Sequence, residues 1–177
     1  MHTIHYVAAK ADNKENAHSE VRSFLEKQMG SDENISSWYD WFVTGGGRWA
    51  SGDDNQYNDN YVGDVAHQSE PAFREKLDQA HKWYNETLGQ SIDEVREINL
   101  TEMLDNIENN KEGLHKNFKL SFELWPVSKL YNLISGDWGP DHHFYDTVNH
   151  TTHPTYMLEA IDKGDNDWYI VPVDFHF

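Results

Sequence analysis

Apolar and polar positions at the start of the chain follow a pattern that predicts a strand and then a helix. Residues 3–9 are rich in β-branched and aromatic side chains and stop where a polar run begins at Lys10, as strands commonly do. The helix is expected to begin at a cap formed by Asp12 or Asn13 and to end near Gly30. Its predicted apolar face has helical spacing and consists of Ala17, Val21, Phe24 and Leu25.

Further strands are predicted over residues 38–44, which precede three glycines, over residues 144–148, and over residues 168–175. Pro172 has no backbone N–H to donate to a sheet ladder, so it predicts an edge or bulge position in the last strand. Residues 114–124 alternate apolar with polar side chains, which indicates a half-buried strand or an extended segment.

The middle of the chain has a different pattern. Residues 50–68 are polar without a period and predict a long loop. A helix is expected from Ser69 to a stop at Gly89. A second helix or broken helix, with a capping box that begins at Ser91, is expected over residues 91–107, and the two form a helical hairpin. A short helix is expected over residues 126–134. These elements predict one α+β domain over residues 1–177, with a mostly antiparallel sheet and helices packed on one face.

Composition narrows the class of function. The 177 residues include 14 Lys and Arg against 31 Asp and Glu, a net charge of −17, and no cysteine. An acidic protein lacks the basic footprint that phosphate backbones and anionic lipids require, so we expect no direct nucleic-acid binding and no membrane contact. The absence of cysteine excludes disulfides, thiol catalysis and cysteine-bound zinc. The chain shows no signal-peptide pattern, so we expect a cytoplasmic protein.

The negative charge is concentrated in one region. Residues 53–112 carry fifteen acidic and five basic side chains. This region is either a solvated helical face or an acidic surface that engages a basic partner or, on residues 70–112, imitates DNA toward a DNA-binding protein. Between Asp53 and Asp64 the oxygen ligands do not fit an EF-hand, because Tyr57 occupies the fifth position and Asn58 replaces the turn glycine. A weak hydrated cation site or a flexible polar loop remains.

Residues 38–49 carry the strongest local signal, because a glycine run there is followed by Arg48 between aromatic residues. A guanidinium forks onto a phosphate or carboxylate and a tryptophan ring stacks on a planar group, so the pattern is typical of a site for a planar anion. Alternatively, the glycines only form a turn, Arg48 pairs with Asp40, and the tryptophans belong to the core. Asp174 and His176 lie two apart on the last strand and share one side. The candidate binding residues are Trp38, Asp40, Trp41, Arg48, Trp49, Asp174 and His176.

The block of residues 40–49, together with residues 171–176, resembles a group of small uncharacterised phage and bacterial proteins that share a D-W-aromatic-x-x-G-G-R-W motif. This chain has one more glycine in the turn than that motif. The resemblance covers the two ends of the chain and brings no assigned activity. It implies a phage context, with the protein acting in the cytoplasm of a host cell, and it implies that the motif, Asp174 and His176 belong together.

Imidazole and carboxylate groups are concentrated between Asp137 and His153. Such groups bind zinc, manganese or iron, and a metal-bound water supplies a nucleophile near neutral pH. The spacing matches no specific metal signature, and Pro154 disfavours a helical histidine pair, so hydrogen-bonding surface histidines are the alternative. The candidate metal ligands are His142, His143, Asp146, His150 and His153.

These observations favour a non-enzymatic, phage-type acidic protein, monomeric or homodimeric, that captures a host protein or a small anionic ligand and inhibits a host defence system. A metal-dependent hydrolase built on the histidine segment, a nucleotide-acting enzyme with its substrate held by Arg48, and a DNA mimic are the alternatives. The sequence contains no P-loop, no dinucleotide-binding fingerprint, no nucleophile elbow and no kinase motif set.

Overall fold

The computed structural model of the protein describes residues 1–29, 38–49, 64–109 and 118–177, with side chains in the last range from Leu124 onward. The strands are β1 (His2–Lys10), β2 (Trp41–Thr44), β3 (Ala66–His67), β4 (Phe144–Asp146) and β5 (Trp168–His176). The helices are α1 (Lys14–Met29), α2 (Pro71–Arg96), α3 (Leu100–Asn109), α4 (Phe118–Ser135) and α5 (Thr155–Asp162). Most of the acidic loop predicted over residues 50–68, with its candidate cation site, lies outside the described residues.

Contacts within the chain group the residues into two compact units. One comprises Met1–Tyr84 with Trp138–Phe177 and contains the whole sheet, and the other is Asn85–Asp137. In the second unit α3 packs with α4, and Met103 and Leu133 are buried. None of the described helices is both long and apolar enough to cross a membrane.

The sheet has the strand order β2–β5–β1–β4, and β3 also pairs with β5. The antiparallel pair of β1 and β5 forms its centre, with register from His2 opposite His176 to Lys10 opposite Trp168. β2 and β3 are antiparallel to β5, whereas β4 is parallel to β1. The predicted α+β class with a mostly antiparallel sheet is therefore confirmed.

Helices cover both faces of the sheet, so the expectation that they pack on one face is wrong. Even-numbered residues of β1 and β5, such as Tyr6 and Ile170, pack with Phe73 of α2 and Met157 of α5. Odd-numbered residues of the same strands pack against α1 through a separate apolar cluster. The physical reason is that β1 and β5 carry apolar side chains at consecutive positions, and a strand that is buried on both faces needs a layer on each.

The first helix follows the sequence pattern closely. The side-chain oxygen of Asn13 accepts a hydrogen bond from the backbone N–H of Asn16 at 2.9 Å, which caps α1 at its beginning. Ala17, Val21 and Leu25 are fully buried against the sheet. This confirms both the cap and the apolar face that the sequence predicts.

Pro172 lies in the central strand and not at the edge or bulge that the sequence predicts. It is opposite Tyr6 of β1, and on its other side the partners of β5 change from β3 to β2. The backbone N–H groups of Gly45 and Gly46 donate to the Pro172 carbonyl at 2.7 and 3.0 Å. Proline is tolerated because its nitrogen faces the gap between two short partner strands, where no ladder bond is lost.

Two predictions for the middle of the chain are wrong. α2 continues through Gly89 to Arg96, and the break before α3 falls at residues 97–99, which agrees with the broken helix that was the alternative over residues 91–107. Ser91 is fully buried inside α2 and does not cap a new helix. Residues 118–135 form one helix with Pro126 inside it, where the sequence predicted a strand and a separate short helix. Four alternating apolar residues are too short a signal to distinguish a strand from a helix with several apolar faces.

Because Gly89 lies inside a helix, replacing it with alanine is expected to stabilise the protein by about 0.5–1 kcal/mol. A Cβ atom at this position meets no atom within 4 Å, so the substitution brings helix propensity without a clash. Urea unfolding of Gly89→Ala beside the unmodified protein measures the change. An unchanged or lower midpoint would contradict a continuous α2.

Candidate functional site

Polar and aromatic side chains gather at one end of the sheet, on the face that carries the even-numbered residues of β1 and β5. His2, His176 and Trp41 are cross-strand partners on three adjacent strands, so their side chains share that face. Asp174 lies two residues before His176 and faces the same side. We call this group the sheet-end cluster, which comprises His2, Asp40, Trp41, Gly47, Arg48, Trp49, Asp174 and His176.

Glycine brings the turn after β2 onto this face. Gly45, Gly46 and Gly47 all have positive φ, and the 3₁₀ turn Gly47–Trp49 then lies against Asp174. A Cβ atom on Gly47 would be 2.6 Å from both Cβ and Oδ2 of Asp174. The absence of a side chain at this position is therefore what lets the turn approach the carboxylate.

Asp174 is almost fully buried, and its carboxylate is held from two sides. Its Oδ2 accepts the backbone N–H of Arg48 at 3.2 Å, and its Oδ1 lies 2.9 Å from Nδ1 of His2. A carboxylate only accepts hydrogen bonds, so Nδ1 of His2 carries a proton. In the neutral ring Nε2 therefore has no proton and can accept a hydrogen bond. This buried carboxylate fixes the orientation of the imidazole, as a positioning acid does in many histidine sites.

A second histidine–aspartate pair lies beside the first. Nδ1 of His176 is 2.7 Å from Oδ1 of Asp40, and this hydrogen bond lowers the pKa of Asp40. The ring of Trp41, 40% exposed, stacks on the ring of His176 with centroids 5.1 Å apart and planes at 10°. The pair is more open to solvent than His2 and Asp174.

The rings of both histidines meet in edge contact, with centroids 4.9 Å apart. The His2 ring also contacts the edges of Trp41 and Trp49, at 5.1 and 6.3 Å. The exposed guanidinium of Arg48 lies 5.7 Å from the centre of the Trp49 ring. The cluster thus combines two oriented imidazoles, two indole rings and one permanent cation on one patch of surface.

Trp38, which the sequence also placed in the binding group, belongs to the opposite face. Its ring stacks on buried His5 with centroids 4.9 Å apart and contacts Phe175 and Trp138. The sequence offered an ion pair of Asp40 with Arg48 as an alternative. In the structure Asp40 pairs with His176 instead. The expected meeting of the motif with Asp174 and His176 does occur.

The five candidate metal ligands do not meet at one point in the structure. Asp146 is buried and accepts the backbone N–H groups of Val148 and Asn149, which closes a turn. His143 lies 3.0 Å from the carbonyl oxygen of Ile4, and His150 lies beside Tyr145 and Phe24 of the α1 face. Within the described part of the chain, no three histidine or carboxylate groups meet as a metal site requires. The structure does not assemble the predicted metal set.

His142, His143 and His153 instead line a small pocket between α2 and the residues before α5, with His81 and Tyr84 on its other wall. The pocket volume is about 100 Å³, below the range of about 300 Å³ and more that is usual for drug-sized ligands. Burial lowers the pKa of His143, which favours the neutral ring. The sheet-end cluster is the stronger candidate for recognition of a charged ligand.

His2 is the site residue that sequence reasoning missed. Its only sequence signal is its place at the first position of β1, in antiparallel register with the motif-bearing end of β5. That register sets His2 beside His176, and no local pattern reveals it. Comparison of the chain with protein-family models, curated proteins and solved structures yields no match.

Proposed function

We propose that the protein binds a small anionic ligand that carries a planar ring, and that the sheet-end cluster is its binding site. The observation that carries the proposal is the convergence of Arg48 with the rings of Trp41, Trp49, His2 and His176 on one face. Arginine recognises phosphate or carboxylate through paired hydrogen bonds, and indole rings stack on planar groups. A nucleoside monophosphate has both features.

The charged side chains of the cluster are the guanidinium of Arg48 and the carboxylates of Asp40 and Asp174, which are paired with His176 and His2. The N-terminal amino group of Met1 lies 3.5 Å from Nε2 of His176 and adds a second positive group beside Arg48.

The motif resemblance to phage proteins supports a host-directed role for this binding. A phage protein that sequesters a small nucleotide-like anion deprives a host system, such as a defence pathway, of that molecule. The strongly negative remainder of the chain favours small ligands over polyanions, because long-range repulsion grows with the charge of the ligand.

Isothermal titration calorimetry with adenosine 5′-monophosphate, adenosine and inorganic phosphate tests the proposal. The nucleotide is expected to bind more tightly than either part alone, because only the nucleotide engages both the cation and the rings. Arg48→Ala is expected to weaken nucleotide binding about 10- to 100-fold, since a charged hydrogen-bond partner is lost.

Arg96→Ala is the matched control. Arg96 is an exposed arginine that bonds Asp93 near the end of α2, so this variant removes the same charge from the protein outside the unit that carries the sheet. The proposal is wrong if the two variants weaken binding equally, or if none of the three compounds binds.

A further inference from the structure

We infer that the two histidine–aspartate pairs of the sheet-end cluster catalyse hydrolysis of a phosphodiester in a small nucleotide, with one imidazole as base and the other as acid. The inference rests on the proposed function, because the anion must first be held at Arg48. It goes further, because capture alone requires neither two histidines nor carboxylates that fix their orientation.

The hydrogen bonds orient both rings for proton transfer. Asp174 and Asp40 each bond the Nδ1 atom of one histidine, at 2.9 and 2.7 Å, which leaves Nε2 as the reactive nitrogen in both rings. Among the residues that the structure describes, Nε2 of His2 makes no hydrogen bond. Nε2 of His176 has a long contact of 3.5 Å with the amino nitrogen of Met1.

The two rings lie close enough together for an acid and a base to act on one phosphorus centre. Their centroids are 4.9 Å apart and their planes are inclined at 73°. A base must reach the attacking water and an acid must reach the leaving oxygen, on different sides of the phosphorus atom. Arg48 supplies the positive charge for the nonbridging phosphate oxygens.

Hydrolysis of the phosphodiester requires no reagent other than water. The neutral imidazole takes a proton from water as the water oxygen forms a bond to phosphorus. The bond from phosphorus to the ester oxygen breaks, its electron pair stays on that oxygen, and the protonated imidazole gives that oxygen its proton. The products are a phosphomonoester and an alcohol, and proton exchange with solvent restores both imidazoles.

A diester in a small molecule is the substrate class that this arrangement favours. In this proposal the guanidinium of Arg48 pairs with a nonbridging phosphate oxygen, and the rings of Trp41 and Trp49 accept a nucleobase. An alkoxide leaving group needs the proton that the second histidine provides. The net charge of −17 disfavours a long polyanion.

The test uses the full chain with two substrates, thymidylyl-(3′,5′)-thymidine and the p-nitrophenyl ester of thymidine 5′-monophosphate. We expect both to be hydrolysed, with a bell-shaped pH profile. His2→Gln and His176→Gln are each expected to slow dinucleotide hydrolysis by about 10²- to 10⁴-fold. The variant that has lost the acid is expected to retain most of its activity on the nitrophenyl ester, because nitrophenolate leaves without a proton.

Three further variants separate catalysis from structure. Asp174→Asn and Asp40→Asn remove positioning residues and are expected to change the pH profile as well as the rate. His67→Gln is the matched control, because His67 lies beside Tyr169 near the far end of β5 and bonds Ser69 and Asn166. Circular dichroism of each variant verifies that it is folded.

Several outcomes would overturn the inference. If adenosine 5′-monophosphate binds through Arg48 but neither diester is cleaved, hydrolysis is wrong and the binding function stands. If neither binding nor cleavage occurs, both proposals are wrong. The activity would belong to another mechanism if cleavage survived in both histidine variants, if it fell equally in His67→Gln, or if a chelator abolished it.

Discussion

Gly47→Ala is expected to lower the free energy of unfolding by about 2–4 kcal/mol and to abolish binding at the sheet-end cluster. Gly47 has φ +47°, a conformation that an L side chain adopts with strain. An alanine Cβ would also lie 2.6 Å from Cβ and Oδ2 of Asp174, which no packed structure accepts. The turn must therefore move away from the carboxylate and carry Arg48 and Trp49 with it.

Gly164→Ala separates the strain from the clash. Gly164 has φ +99° and no atom within 4 Å of an added Cβ, so its replacement costs backbone strain alone. Urea unfolding and nucleotide titration of both variants make the comparison. Equal losses of stability, or full nucleotide binding by Gly47→Ala, would show that the turn does not rest on Asp174 as the structure describes.

The second large effect is a loss of stability in mild acid, which originates at His5 on the α1 face. His5 is fully buried and stacked on Trp38. Its Nδ1 accepts the indole N–H of Trp138 at 3.1 Å, so Nε2 carries the proton and donates to the carbonyl of Pro140 at 3.3 Å. A second proton on Nδ1 would face a donor, and burial holds the pKa of His5 well below its usual value.

The sign of the effect follows from proton binding. Below about pH 6.5 the unfolded chain takes up a proton at this histidine and the folded protein does not, so acid favours unfolding. The stability that the neutral ring contributes is present above that pH. It falls by up to about 1.4 kcal/mol per pH unit until the folded protein also binds the proton.

Urea unfolding between pH 7.5 and 4.5 measures this dependence. His5→Gln keeps groups that accept and donate hydrogen bonds but does not titrate, so its stability is expected to vary less with pH than that of the unmodified protein. His153→Gln, at an exposed histidine, is the control for replacement of an imidazole by an amide. Parallel pH curves for the unmodified protein and His5→Gln would contradict the prediction.

The sequence predicts β1, α1 and β5 well because their apolar residues have one clear period or an unbroken apolar run. It does not predict the second face of the sheet, since consecutive apolar positions do not show how many layers cover a strand. Nor does it place the end of α2, because Gly89 and Ser91 carry the local signals of a helix boundary and packing at buried Ser91 overrides them.

The site was partly predictable for a similar reason. Arg48, Trp49 and the glycines stand together in the sequence and could be recognised as a motif, and Asp174 with His176 shows a strand's alternation. Which of these residues pair is decided by strand register, so His2 and the bond of Asp40 with His176 were not visible. Trp38 and Trp41 lie on opposite faces of the sheet, and the residue type alone does not show which face a tryptophan occupies.

The register of β1 with β5 also determines when the sheet-end cluster can exist during synthesis. His2 pairs with His176, so the cluster requires contact between residues at opposite ends of the sequence. Such distant contacts close a long chain loop and form slowly compared with helices. A ribosome-bound chain that still lacks β5 has no such site. Binding of the proposed ligand would therefore report that β1 and β5 have paired.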